Sequence, residues 1–174
     1  EISVTGGQVN EGAGSPDSDV FVYRDFDDNV RVVTGTSDES AGVLSAPVST
    51  TAAGIEYTWL GDSVLLGVAW ASGDQTIWLV DTVAKTSREI GVGTVVYATT
   101  TRVLFTDQSG AGHLGFLDEV RSPVPLGSIQ GLSSVWAASD DFIVGTDSFT
   151  GIDVFSWDAV SEGTLDVAPG EQVF

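Results

Sequence analysis

The segment Ile77-Trp78-Leu79-Val80-Asp81 has two counterparts further along the chain, Leu114-Gly115-Phe116-Leu117-Asp118 and Val154-Phe155-Ser156-Trp157-Asp158. Asp118 follows Asp81 by 37 residues (118 − 81), and Asp158 follows Asp118 by 40 residues (158 − 118). Each segment is short, apolar and rich in residues that favour β-strands. A strand that recurs at a period of about 40 residues indicates a chain built from repeats.

Each of these segments belongs to a series of short apolar runs, and the series has the same order each time. A run precedes it across a glycine-containing turn, at residues 64–71, 103–106 and 142–145. An earlier run comes before each of those, at residues 55–60, 94–98 and 133–137, and another follows each aspartate, at residues 88–92, 124–128 and 164–167. The repeated unit is therefore predicted to contain four consecutive strands.

A fourth, less complete copy is predicted near the start of the chain. Val20-Phe21-Val22-Tyr23 is interpreted as its third strand and Val30-Arg31-Val32-Val33 as its fourth, with an earlier strand within residues 1–9. Residues 35–54, rich in Ser, Thr, Ala and Gly, are interpreted as a long loop between repeats or an extra edge strand. We therefore divide one structural domain into residues 1–54, the incomplete first repeat with its loop, and residues 55–174, three consecutive repeats.

A repeat of about 40 residues with four antiparallel strands is typical of a β-propeller, whose sheets are called blades. One such sheet cannot shield both of its faces, whereas radial stacking buries each sheet against the next. A solenoid fits less well, because its repeats are usually shorter or helical. The predicted fold is all-β, a β-propeller or partial propeller of about four four-stranded antiparallel blades.

The segments from Thr58 to Asp81 and from Ala138 to Asp158 resemble blades of the WD-repeat, TolB-like and YVTN-like propeller superfamily. The resemblance extends over residues 55–170 and, loosely, over residues 15–35, and it implies the fold rather than a function. Three arrangements stay open: a small four-bladed ring, identical copies that assemble one larger ring, and a piece of a longer protein. The start at Glu1 without a leader fits a removed signal as well as a fragment.

The chain is strongly acidic, because 25 Asp and Glu residues oppose 6 Lys and Arg residues and give a formal net charge of −19. The acids are spread along the sequence, and Lys85 is the sole lysine. This composition resembles that of proteins from extreme halophiles, since molar salt shortens the Debye length to about 3 Å and makes such self-repulsion tolerable. The alternative is an ordinary acidic secreted protein. Either origin disfavours binding to nucleic acid, and the absence of cysteine excludes disulfides.

Candidate catalytic groups are few. His113 is the sole histidine and stands at the start of a predicted third strand without a Gly-x-Ser-x-Gly motif, so we interpret it as structural rather than as part of a triad. Asp140-Asp141 and Asp27-Asp28 are paired carboxylates by residue type, but both pairs are predicted in solvated turns. Asp25-Phe26-Asp27-Asp28-Asn29 has oxygen ligands suited to Ca²⁺, although it lacks the glycine and distal glutamate of an EF-hand loop and is better interpreted as a tight turn.

Five tryptophans recur at strand positions, where packing between blades is the preferred interpretation and stacking of one or two on sugar is the alternative. They are Trp59, Trp70, Trp78, Trp136 and Trp157.

We therefore expect no catalytic residue, metal or cofactor, and no membrane span, since no apolar run approaches 18 residues. The expected function is that of a non-enzymatic protein–protein interaction or structural module, exposed outside the cell or on a virion or cell surface of a halophile. A haloarchaeal virion surface or spike component is one form of it. Other proteins or identical chains are the expected partners, with residues 35–54 contacting a neighbour in an oligomer. The alternative is a secreted glycan-binding or glycan-hydrolysing propeller.

Overall fold

The computed structural model describes residues 11–24, 30–35, 42–43, 54–71, 74–126, 135–147 and 151–165. These residues form strands and turns and contain no helix. The strands make four antiparallel sheets of four strands each, and in every sheet the strands lie side by side in chain order. The predicted all-β fold class of four four-stranded antiparallel sheets is confirmed.

The strand bounds are as follows. The first sheet contains β1 (Glu11–Gly14), β2 (Val20–Arg24), β3 (Val30–Thr34) and β4 (Gly42–Val43). The second contains β5 (Gly54–Trp59), β6 (Val64–Ala71), β7 (Asp74–Asp81) and β8 (Thr86–Val92). The third contains β9 (Thr94–Ala98), β10 (Arg102–Thr106), β11 (Gly112–Phe116) and β12 (Val124–Pro125). The fourth contains β13 (Val135–Ala138), β14 (Ile143–Asp147), β15 (Gly151–Phe155) and β16 (Ser161–Leu165).

The first sheet corrects the strand positions predicted for the first repeat. The run that starts at Val20 is the second strand of its sheet, since it pairs with β1 on one side and β3 on the other. The run that starts at Val30 is consequently the third strand, and the predicted order is wrong by one place. The fourth strand, β4, pairs with β3 and lies inside residues 35–54, so part of that stretch is sheet. Residues 1–9 lie outside the described residues.

The marker aspartates do not occupy equivalent places. In each of the last three sheets, the last residue of the first strand pairs with a residue of the second strand, and that residue pairs in turn with one on the third strand. These third-strand residues, Val80, Gly115 and Phe155, are therefore equivalent. Asp81 is the first residue after this point and ends β7, whereas Asp118 and Asp158 are the third residues after it and lie in turns. The prediction that these aspartates end their strands therefore holds only for Asp81.

The chain forms two compact units, residues 1–92 and 93–174, each with two of the sheets. In the unit of residues 1–92, the first two sheets share a buried core. It contains Val22, Val30 and Val32 of the first sheet and Ile55, Leu65, Ala69, Trp78 and Val80 of the second. Side chains alternate between the two faces of a sheet along each strand, so the residues on the facing sides of the two sheets form the core.

The unit of residues 93–174 has a corresponding core between the third and fourth sheets. It contains Leu104, Leu114, Phe116 and Leu126 of the third sheet and Trp136, Ile143 and Phe155 of the fourth. Trp136 donates its indole N–H to the Gly110 carbonyl over 3.1 Å and covers Gly112, where a Cβ atom would come within 2.5 Å of the ring. The absence of a side chain at Gly112 is therefore a condition for this contact between sheets.

Within each unit, the two sheets approach most closely at their first strands, with β1 beside β5 and β9 beside β13. The sheets thus bury their facing sides against one another and converge at one edge. Adjacent propeller blades pack in this way, because the first strand of every blade lies next to the central axis.

Candidate functional site

Antiparallel order places the connections of each sheet at two opposite ends. The connection between the first and second strands and the one between the third and fourth strands lie at the same end, which we call the turn end. The hairpin between the second and third strands lies at the other, which we call the hairpin end. In the fourth sheet, the turn end consists of residues 139–142 and 156–160.

Hydrogen bonds made by Ser139 stabilise the first of these two turns. Ser139 donates its backbone N–H to the Phe142 carbonyl over 2.9 Å. Its Oγ accepts from the backbone N–H groups of Asp141 and Phe142, at 3.3 and 3.4 Å. Thr99 makes the same contacts in the third sheet, with Thr101 and Arg102 as donors. A side chain that accepts from the following backbone is typical of Ser and Thr turns, and here it leaves residues 140–142 exposed.

The second turn of the fourth sheet is joined to the first. Ser156 donates its N–H to the Val160 carbonyl over 2.9 Å, and Ala159 has a φ of 61°, in the left-handed region. The indole N–H of Trp157 donates to the Ser139 carbonyl over 3.0 Å and so bridges the two turns. The two turns at the turn end of the fourth sheet are consequently joined by hydrogen bonds into one surface.

Tyr97 of β9 connects this surface to the third sheet. Its hydroxyl donates to Asp140 Oδ1 over 3.0 Å, and its ring centroid lies 6.0 Å from that of Trp157. The hydrogen bond to Asp140 and the negative charge of that carboxylate raise the pKa of Tyr97. Tyr97 therefore stays a neutral phenol that fixes the orientation of Asp140.

Two apolar side chains stand exposed on this surface beside carboxylates. Phe142 is 46% exposed and Val160 is 55% exposed. Asp141 and Asp158 are exposed next to them in the same two turns. A surface of hydrogen-bonded turns with exposed apolar groups and surrounding carboxylates can bind a complementary surface at a lower ordering cost than a flexible segment.

The turn end of the third sheet satisfies its charges internally. Arg102 pairs with Asp118, and Arg121 lies 3.6 Å from Glu119. The guanidinium carbons of Arg102 and Arg121 lie 4.6 and 4.1 Å from the centroid of the Phe116 ring. Each of the two arginines thus makes a cation–π contact with the same aromatic ring and an ion pair with a carboxylate.

His113 lies on β11 at the hairpin end of the third sheet, where it contacts residues that the sequence did not single out. Its Nε2 lies 2.9 Å from Asp107 Oδ2, and its ring stacks on Phe105 with centroids 5.4 Å apart. Asp107 Oδ1 also accepts from the N–H and Oγ of Ser109 and the N–H of Ala111. The hydrogen bonds from Ser109 and His113 hold the pKa of the Asp107 carboxyl well below its usual value.

The structure does not bring the sequence candidates together. His113 is at the hairpin end, whereas Asp140 and Asp141 are at the turn end. Asp27-Asp28 and the possible calcium loop at residues 25–29 lie outside the described residues. Within the ranges that the structure describes, no three His, Asp or Glu side chains are placed to hold a metal ion, and no helix is long and apolar enough to cross a membrane.

The tryptophans mostly occupy the cores, as predicted. Trp78 and Trp136 are 8% and 6% exposed and belong to the two cores, and Trp59 and Trp157 pack against them while partly buried. The side chain of Trp70 lies outside the description. The contact between Tyr97 and Asp140 had no signal in the sequence, since it joins positions 43 residues apart on different sheets.

Comparison with known proteins finds a likeness in structure but none in sequence. No family model matches the sequence, and no curated protein matches it. Among solved structures, the WD40 domain of SCAP from fission yeast is similar with a TM-score of 0.44 and 15% sequence identity. The match covers 92% of this chain and 42% of that one, so the chain spans less than half the length of this structural neighbour.

Proposed function

We propose that this chain is a non-enzymatic module for protein binding and assembly that acts outside the cell of a halophilic organism. The observation that carries the proposal is the turn end of the fourth sheet, where Phe142 and Val160 are exposed on two turns that Trp157 ties together. Aromatic side chains such as Phe142 are enriched in protein interfaces relative to the rest of the surface, and an adjacent aliphatic group extends the apolar area. The proposed binding partners are other proteins or identical chains.

The charge of the chain supports the finer part of the proposal. A net charge of −19 with a single lysine suits a surface that must stay hydrated in molar salt. A component of a cell surface or of a haloarchaeal virion surface or spike is the form that we propose for such a module. The proposal includes no catalytic step, because the two candidates lie apart: Asp140 contacts Tyr97 at the turn end, and His113 contacts Asp107 at the hairpin end.

The test compares variants of the immobilised chain incubated with surface proteins of a haloarchaeon in molar KCl. We expect a defined protein, identified by mass spectrometry, to be retained by the wild type and lost with the double variant Phe142→Ser, Val160→Ser. Val83→Ser is the matched control, since Val83 is 78% exposed at the turn end of the second sheet. Identical retention by all three chains would refute the assignment of binding to the fourth sheet. Light scattering of the same variants reports binding between identical chains.

A glycan-binding alternative is favoured by one observation, the grouping of Tyr97, Asp140 and Trp157 at one end of the sheets. Aromatic rings and a fixed carboxylate are suited to the apolar face and hydroxyls of a sugar. Binding on a glycan array that is lost with Asp140→Asn and kept with Asp141→Asn would support this alternative over protein binding.

A further inference from the structure

We propose that the turn end of the fourth sheet docks an arginine-containing segment of a partner protein, an inference that rests on the protein-binding function proposed above. The argument comes from comparing the third and fourth sheets position by position. Their strand pairing aligns Arg102 with Phe142, each immediately before the second-strand residue that faces the end of the first strand. The same pairing aligns Asp118 with Asp158.

In the third sheet, the two aligned positions form an ion pair between Arg102 and Asp118. In the fourth sheet, Asp158 is retained but Phe142 replaces the arginine. Asp158 has no ion pair with any residue that the structure describes, and the same is true of Asp141. The fourth sheet therefore has the carboxylate of the third sheet's ion pair at the aligned position, without the cation.

The replacement also supplies an apolar ring where a guanidinium can stack. Phe142 precedes Ile143, which pairs with Phe155, and the next residue, Ser156, donates its N–H to the Val160 carbonyl. An aromatic ring, an aliphatic group and the carboxylates of Asp141 and Asp158 are thus grouped on two joined turns. In the third sheet, arginines fill the corresponding role: Arg102 and Arg121 lie over the Phe116 ring and pair with carboxylates.

The chemistry favours arginine over other occupants. A planar guanidinium stacks on an aromatic ring and donates to carboxylates in the same plane, whereas a lysine ammonium is more strongly hydrated and cannot do both as well. The chain has few cations of its own to offer, and the nearby Arg102 and Arg121 are engaged. An external segment with arginine and a flanking apolar residue complements both the charge and the apolar groups.

The test uses the full chain and the probe peptide acetyl-Leu-Arg-Leu-amide, followed by amide NMR shifts at 0.15 M and 2 M NaCl. We expect shifts at residues 139–142 and 156–160. At 0.15 M NaCl the matched peptide with neutral citrulline in place of arginine should bind about fivefold more weakly, as should the variant Asp158→Asn, which corresponds to the loss of one exposed ion pair. Both differences should shrink at 2 M NaCl, because salt screens an exposed pair. Asp17→Asn is the control, because Asp17 is exposed in the other unit.

A second variant introduces a cation into the proposed site as part of the chain itself. Phe142→Arg restores the residue found at the aligned position of the third sheet, so its guanidinium should pair with Asp158 and block the peptide. Near-UV circular dichroism checks that the variants are folded. Equal binding of the arginine and citrulline peptides, or shifts elsewhere on the chain, would overturn the arginine assignment. If protein capture still depends on Phe142 and Val160 in that case, the proposed function stands; if capture is also independent of them, both proposals fail.

Discussion

Asp107 organises the hairpin between β10 and β11 through bonds from Ser109, Ala111 and His113. Because these bonds lower its pKa in the folded chain, the unfolded chain takes up the proton first as the pH falls. The stabilisation is therefore fully present above roughly pH 4, the ordinary range of an aspartate, and is lost as the pH decreases below it. We predict that Asp107→Ala lowers the free energy of unfolding by about 1 to 2 kcal/mol at pH 7 and by less at pH 3, where the unfolded chain is already largely protonated at this position. Denaturant titrations at the two pH values measure this.

Asp141→Ala is the control at the residue scale, since Asp141 is exposed and makes no ion pair with a described residue. It removes the same charge without the network, so its effect should be small and nearly independent of pH. A loss for Asp107→Ala that is equal at pH 7 and pH 3 would show that the carboxylate contributes through hairpin geometry alone.

At the scale of elements, Gly112 decides how the third and fourth sheets meet. A Cβ atom there would lie 2.5 Å from the Trp136 ring, which is 6% exposed and held by its bond to Gly110, so the ring cannot simply turn aside. We predict that Gly112→Ala destabilises the chain by about 1 to 3 kcal/mol, as overpacking in a core does. Denaturation followed by tryptophan fluorescence measures the change.

Gly67→Ala is the matched control for that substitution. Gly67 is also a strand glycine, but its added Cβ would meet only ordinary contacts, 3.7 Å from Ile55 and Tyr57. Its effect should be neutral or slightly stabilising, because alanine loses less backbone entropy than glycine. If the two variants proved equally stable, Trp136 would have to be accommodated differently from the contact described here.

The strands of the last three repeats were predictable because apolar, β-favouring runs alternate with turn residues there, and β6 and β9 have the predicted bounds. The first repeat was misassigned because an aspartate served as the marker of a third strand, and Asp25 follows β2, a second strand. Aspartates are common in the turns before and after a strand, so an aspartate next to a strand does not show which strand of the sheet it is. The pairing of Tyr97 with Asp140 depends on how two sheets meet, which no local pattern encodes.

At the scale of the whole molecule, the acidic charge opposes folding, since the compact chain brings 25 carboxylates together against 6 cations. The described ion pairs neutralise few of them. Raising the salt concentration from 0.1 M to 1 M shortens the Debye length from about 10 Å to about 3 Å, so repulsion across the surface is screened. We predict that the free energy of unfolding increases steeply over this range of NaCl, measured by thermal and urea denaturation.

Salt also strengthens apolar burial, so a charge variant must separate the two effects. Replacing four exposed acids with their amides removes four of the negative charges and leaves the cores unchanged; the substitutions are Asp17→Asn, Asp141→Asn, Asp158→Asn and Glu162→Gln. If self-repulsion causes the salt dependence, this variant should be more stable than the wild type at 0.1 M NaCl and gain less from 1 M, because fewer carboxylates then remain to be screened. Parallel salt curves for the two chains would assign the dependence to apolar burial and remove the main support for a halophilic origin.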